Sequence, residues 1–235
     1  MIWTIHTPLR FHIFSVSHFV GLAVGIIAVI CLLITMRGVS QIIKRALEII
    51  FALSALFIPI IYIYWLYDVD LFNIKSGLPL QVCSISLLLC GLALLTNQQL
   101  FICLAVCLGM PSAVGALIFP DITFDFPHFR YYEFFISHFL IIFVCLYYIL
   151  IKNVIIRYKD MVISLGLFLF YGIAIVIVNN CLHSNYLYIA RNWYKQYFRA
   201  DFLYYLCLII MITALFHFVY FILILLNKFK FLLKK

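Results

Sequence analysis

Residues 15–36 read SVSHFVGLAVGIIAVICLLITM, and Arg37, Lys44 and Arg45 follow within the next nine residues. The run carries no acid, Lys or Arg, and at about 1.5 Å per residue it is long enough to cross a hydrocarbon layer of about 30 Å. Working outward from it, six more runs of this kind follow: Ala46–Tyr67, Leu78–Leu95, Leu100–Phe119, Tyr131–Ile151, Met161–Val178 and Phe202–Leu226. Each of the seven is 18 to 25 residues long. Alternate threading sorts their connections into two faces. One face collects Arg37, Lys44, Arg45, Lys152, Arg157, Lys159, Lys228, Lys230, Lys234 and Lys235 against Glu48 and Asp160 alone. The other balances Arg10, Lys75, Arg130, Arg191, Lys195 and Arg199 against Asp68, Asp70, Asp121, Asp125, Glu133 and Asp201, so the formal net charge of +8 falls on one side. Loops rich in Lys and Arg stay in the cytoplasm. The expected fold is therefore all-α: a polytopic membrane protein, a bundle of seven transmembrane helices, with the N-terminus outside and the C-terminus cytoplasmic. The seven spans read as a single integral membrane domain over residues 1–235.

With 68% hydrophobic and 10% charged residues, the chain falls outside the soluble globular class, where about a quarter of residues are charged. Its basic balance points to anionic lipid headgroups and membrane phospholipids as partners, with no case for nucleic acid. The first run reads as a retained helix, since Met36-Arg37-Gly38 offers no small-residue cleavage site. Of the eight cysteines, Cys31, Cys90, Cys103, Cys107, Cys145 and Cys207 fall inside apolar runs, where they act as small apolar residues. No CxxC pair or Cys/His metal spacing occurs. Only Cys83 and Cys181 lie near the outer face, where a disulfide between them is conceivable. Pro79 is suited to the first turn of the third helix. Gly109, Pro111, Ser112 and Gly115 give the fourth a small, kinked packing face. The Asn179–Asp201 connection mixes Tyr186, Tyr188, Trp193, Tyr194 and Tyr197 with basic residues, as a segment on the headgroup layer does.

Histidine is the second asymmetry. His6, His12, His18, His128, His138 and His183 fall on or near the outer face, and only His217 lies deeper. His18 and His138 are inside spans, where ionisable side chains ordinarily face the bundle interior. Counted from the outer ends of their helices, His18, Cys83 and His138 lie about 4–11 Å deep at ~1.5 Å per residue. Asn179 and Asn180 end the sixth helix at the same face. A thiol and an imidazole at one depth are the minimum for a Cys–His nucleophilic pair. His138 would take the thiol proton, and His18 or Gln81 would orient the base or donate to an oxyanion. Asn180 is a further supporting residue at this face. A membrane Cys is ordinarily filler, and a membrane His ordinarily bonds a neighbouring helix, so spacing alone leaves both readings open.

These residues also carry a resemblance. Phe11–His18, reading F-x-I-F-S-V-S-H, then Leu78-Pro79-Leu80-Gln81-Val82-Cys83, Phe129-Arg130, Phe134-Phe135-Ile136-Ser137-His138 and Asn185-Tyr186 resemble in order a bacterial family of seven-helix integral membrane proteins that includes YwaF. That family is distantly similar to eukaryotic transmembrane acyltransferases that remodel ether phospholipids, in which a membrane Cys and His are the proposed catalytic residues. The resemblance puts those roles on Cys83 and His138, and has Gln81 where a His two residues before the Cys is expected. The function it implies is lipid acyl transfer or acyl hydrolysis in the bacterial cytoplasmic membrane, with no cofactor. Arg130 and Arg191 would be phosphate contacts, since a guanidinium binds phosphate bidentately, with Tyr186 beside them as a substrate contact. Two other classes remain: a non-catalytic lipid-binding or transport protein using the same polar pocket, and a metal- or haem-dependent enzyme built on His18, His138 and His183. A retinal protein is disfavoured, because the seventh run has no Lys for a Schiff base. Oligomeric state is not legible in the sequence.

Overall fold

The structure, a computed structural model, describes residues 2–4, 10–190, 195–198 and 200–232, with side chains through 229. Their regular structure is helical, apart from an isolated antiparallel bridge between Arg10 and Phe124. Seven long helices follow one another: α1 (Val16–Gly38), α2 (Gln41–Asp68), α3 (Val82–Thr96), α4 (Gln99–Ile118), α5 (Phe129–Ile151), α6 (Tyr158–Leu182) and α7 (Asp201–Leu232). Six of them are long and apolar enough to cross a membrane, and the chain is a multi-pass membrane protein. The seventh, α3, has 15 residues and rises only about 22 Å at ~1.5 Å per residue, short of a ~30 Å hydrocarbon layer.

Here the sequence reading is corrected. The expected span began at Leu78 with Pro79 in its first turn, yet the helix starts at Val82. The four residues before it are held by other partners. The Leu78 amide donates to the Tyr186 hydroxyl (3.1 Å), the Leu80 carbonyl accepts from the Tyr171 hydroxyl (2.9 Å), and Gln81 Oε1 accepts from the Leu187 amide (3.0 Å). A carbonyl and an amide committed to distant groups are not free to close a helical turn.

The chain groups into two compact units, one comprising Met1–Phe72 and Val82–Val154, the other Asn73–Gln81 and Ile155–Lys235. In the first, α3 packs against α2, α4 and α5, while α1 lies on α5. Close approach is set by glycine. A Cβ on Gly25 of α1 would collide with the Phe139 ring of α5, and one on Gly91 of α3 would come within 3.1 Å of the Ala52 carbonyl of α2. Pro111 removes an amide from α4, and the preceding residues Ala105–Gly109 form a π-helical turn in which the Met110 amide bonds to Ala105 O. The kink expected from sequence takes that form.

The basic end of the first unit is closed by ionic and phenolic groups. Glu48, 1% exposed, takes Arg45 at 2.9 Å, Lys152 at 2.7 Å and the Tyr147 hydroxyl at 2.5 Å. Arg45 also donates to the Leu94 and Leu95 carbonyls at 2.7 and 2.8 Å, and the Tyr148 hydroxyl donates to Ala93 O at 2.7 Å. The Leu94 and Leu95 carbonyls belong to the last turn of α3 and have no partner within the helix, whereas Ala93 O also accepts from the Asn97 amide at 2.7 Å. A second π-helical turn, Tyr147–Ile151, ends α5 where these tyrosines reach across.

In the second unit α6 runs beside α7, with Phe168 stacked on Phe216 and the Tyr158 hydroxyl 3.3 Å from His217 Nε2. Asn179, 3% exposed, ties the exit of α6: its Oδ1 accepts from the Ser184 hydroxyl and the Tyr186 amide (both 2.8 Å), and its Nδ2 donates to Tyr186 O (2.9 Å).

Replacing Glu48 tests the basic-end network. Glu48→Ala leaves the buried Tyr147 hydroxyl without an acceptor, a loss on the order of 1–3 kcal/mol before the ion pairs are counted. Lys152 and Arg45 are partly exposed and recover water, so the pairs add less than a fully buried pair would. Thermal unfolding in detergent, followed by tryptophan fluorescence, should show Glu48→Ala melting well below wild type and Glu48→Gln, which keeps an acceptor for Tyr147, in between.

Candidate functional site

Three helices of the first unit meet in a register that sets the site. Gly109 of α4 is the crossing point: a Cβ there would stand 3.1 Å from Ser86 Cβ on α3 and 3.1 Å from Ile141 Cγ2 on α5. Toward the basic end, the next layer joins Cys90, Ala105 and Cys145; Cys145 Sγ donates to Ala105 O at 3.2 Å and lies beside the Cys90 side chain. Toward the opposite end, one turn from the crossing on each helix, lie Cys83, Ser112 and His138. Residues three apart share a helix face. Cys83 Sγ donates to Ser112 O at 3.9 Å. Cys83 and His138 therefore occupy one layer on helices that flank α4.

The depth count is corrected in its route. Cys83 is the second residue of α3 rather than about five residues into the span, and His138 is the tenth of α5. Measured from helix starts they would stand about 12 Å apart in depth at ~1.5 Å per residue. They come level because α5 begins about two turns before α3 does.

The His138 ring is fixed by its own helix. Nδ1 lies 2.6 Å from Phe134 O and 3.2 Å from the Ser137 hydroxyl. A carbonyl oxygen only accepts, so Nδ1 carries the hydrogen, and in the neutral ring the lone pair is on Nε2. No described residue bonds that Nε2. The ring is 7% exposed, with Phe134 packed at 4.2 Å. Cys83 is half-buried. The first three amides of α3 (Val82, Cys83 and Ser84) have no acceptor one turn earlier, and none is met elsewhere among the described residues.

The other sequence-selected residues are placed differently. His18 is fully buried, and both its ring nitrogens are occupied: Nδ1 accepts from the Phe14 amide (3.1 Å), so Nε2 donates to Leu117 O (2.9 Å). It pins the start of α1 to the end of α4, and it is not available as a ligand for the three-His metal site. Among the described residues no group of three or more His, Cys, Asp or Glu side chains is arranged to hold a metal ion. Gln81 spends its side-chain oxygen on the Leu187 amide. Asn180 is exposed, whereas its neighbour Asn179 carries the buried hydrogen bonds. The buried Tyr186 hydroxyl bonds Ile74 O (2.5 Å) and the Leu78 amide, and burial pushes its pKa above the ordinary value. Arg130 pairs with Glu133 and lies 4.2 Å over the Tyr62 ring. Arg191, with His6, Trp193 and Tyr194, lies outside the described residues. All eight cysteines are free, so the conceivable Cys83–Cys181 disulfide is absent.

The sequence puts Glu133 among the outer-face charges, at the start of the expected Tyr131–Ile151 run. It is a helical residue of α5, its side chain 13% exposed, and it acts electrostatically on Cys83. The signal was present in the sequence: Arg130 and Glu133 have the i,i+3 spacing of an ion pair once the helix is allowed to start at Phe129.

A family model described as the TMEM164 family matches residues 13–226. The chain belongs to the TMEM164 family. The match runs from the turn before α1 into the last turns of α7, so it takes in α1 to α6 and α7 as far as residue 226. No curated protein matches the chain, and no solved structure does.

His128 sets the start of the family's α5 in this chain and gives the fold a pH dependence. Its Nδ1 accepts from the Arg130 amide at 3.1 Å as an N-cap, and the ring stacks on Phe124 at 4.2 Å. It is 1% exposed, and its Nε2 lies beside the Thr4 backbone without a well-formed hydrogen bond. Burial, reinforced by the Arg130 charge, holds its pKa below the ordinary 6.5. The unfolded chain therefore binds this proton first as pH falls, and stability is lost progressively below about pH 6.5. Melting temperatures measured between about pH 7.5 and 5 should fall toward the acid end, with a shallower fall in His128→Asn, whose amide can still cap α5.

Proposed function

We propose that this TMEM164-family protein is a lipid acyltransferase or acyl hydrolase in which Cys83 is the nucleophile and His138 the general acid–base. The observation that carries this reading is the His138 ring: its Nδ1 hydrogen is committed to Phe134 O, which leaves an unshared Nε2 in the layer of the Cys83 thiol. The Cys83 proton passes to Nε2 as sulfur attacks the carbonyl carbon of a lipid ester. The carbon–oxygen bond of the tetrahedral adduct then breaks, the leaving alkoxide takes the proton from Nε2, and the acyl group remains on Cys83 as a thioester. An acceptor alcohol, or water in the hydrolase, gives its proton to Nε2 and attacks the thioester; collapse releases the new ester or acid, and sulfur regains the proton. The amides of Val82, Cys83 and Ser84 are the donors at hand for the oxyanion, and such donors are worth on the order of 10²–10³ in rate.

Arg130 is the candidate phosphate contact, working from within its pair with Glu133. The ester bond of a glycerophospholipid lies at the hydrocarbon boundary, a depth that suits a nucleophile in the first turn of a helix.

Intact mass measurement after brief incubation of the full chain with mixed phospholipids tests the reading. Wild type should gain a hydroxylamine-sensitive acyl mass that Cys83→Ala never shows, and turnover in His138→Ala should fall by at least about 10²-fold. An unmodified Cys83 in both wild type and His138→Ala would discard covalent catalysis in favour of lipid binding or transport.

A further inference from the structure

Ser86 sits one turn from Cys83 on the same face of α3, at the Gly109 crossing. It is completely buried, and its hydroxyl has no hydrogen-bond partner. Serines inside helices ordinarily return this hydroxyl to a carbonyl one turn back, as Ser54 and Ser112 do here. An unpartnered buried hydroxyl costs stability, and native structures retain few of them without a reason. Replacing it with a methyl would, on packing grounds alone, be neutral or stabilising.

The resting thiol supplies the reason. Cys83 donates to Ser112 O, and that contact exists only while sulfur holds its hydrogen. Once deprotonated, sulfur faces the lone pairs of a carbonyl oxygen, is repelled, and needs donors instead. The charged and titratable groups around it are Glu133, paired with Arg130 over Tyr62, and the His138 ring, all on α5 except Tyr62. The α4 side offers only the Ser112 carbonyl, and Glu133 opposes an anion. Beyond the α3 amides placed for the oxyanion, the unpartnered side-chain donor on the nucleophile's own helix, one turn along the same face, is the Ser86 hydroxyl. We propose that Ser86 is a positioning residue for the nucleophile: its hydroxyl turns to the Cys83 thiolate when the thiol gives up its proton. This rests on the reading of Cys83 as the nucleophile, but its test does not require acyl chemistry.

The test is the alkylation of Cys83 by iodoacetamide in the detergent-solubilised full chain, followed by peptide mass spectrometry so that the exposed Cys31 and Cys181 are counted separately. Ser86→Ala should alkylate about 10-fold more slowly near pH 8, the size expected of one hydrogen bond to a charged group. Its melting temperature should not drop. The gap should narrow as pH rises toward about 10.5, because excess hydroxide ionises thiols whether or not a donor helps. Ser164→Ala, which removes the other buried unpartnered serine hydroxyl, on α6, should leave the rate unchanged. An unchanged rate in Ser86→Ala, or a slowing that is equal at every pH, overturns the proposal, since the latter reports altered access. If wild type never forms an acyl adduct while Ser86→Ala still slows alkylation, the acyl-transfer reading falls and the Ser86–Cys83 coupling stands. If the adduct forms and alkylation ignores Ser86, the reverse holds.

Discussion

The two ends of one short helix organise the first unit. The α3 helix rises about 22 Å, less than a hydrocarbon layer of about 30 Å. Backbone groups buried without partners are costly, and the protein treats the two ends differently. At the basic end, Arg45 and Tyr148 take the last carbonyls, and Glu48 holds Arg45, Lys152 and Tyr147 around them. That arrangement joins α2, α3 and α5, and it explains why a carboxylate is retained in so apolar an interior. At the opposite end the first amides of α3 are left unpaired, and Cys83 is the side chain beside them.

The layered register follows from that central helix. With α3 held at its basic end, the crossing at Gly109 fixes how far α4 and α5 slide past it, because Ser86 and Ile141 already stand at contact distance from the missing Cβ. Each layer above and below is then determined by helix periodicity: Cys90, Ala105 and Cys145 in one direction, Cys83, Ser112 and His138 in the other. The π-helical turn in α4 belongs to the same logic, since it passes the Pro111 interruption while keeping Ala105 O available to Met110 and Cys145. A rigid, interdigitated interior is what permits a thiol and an imidazole from distant sequence positions to share a depth.

Parts of the candidate site have a signal in the sequence. Cys83 and His138 stand out there because a thiol and an imidazole at one end of apolar runs are unusual, while the family that the comparison shows is the TMEM164 family. Other parts were hidden. The ion pair of Glu133 was hidden because the expected run starts at Tyr131 and leaves Arg130 outside it, whereas the N-cap at His128 starts the helix two residues earlier and puts both on it. Asn180 and Asn179 are equivalent in a string of letters, and only the turn at His183 decides which of them faces inward. His18 and His138 also look alike on paper, yet one has both nitrogens bonded to backbone and the other keeps one free.

The sequence by itself determined that this chain lives in a membrane and where its apolar runs lie. Those are properties of local composition, and the free energy of burying a run in lipid is close to a sum over its residues. Tertiary structure alone decided that α3 begins at Val82, that Cys83 shares a layer with His138, and that Glu48 sits at the centre of an ionic cluster. Each depends on which distant group takes a given amide, carbonyl or carboxylate. Tyr171 and Tyr186 take the backbone that would have lengthened α3, and Arg45 takes the carbonyls that end it. Pairings of that kind are set by the packing of side chains across helices, which no window of neighbouring residues contains.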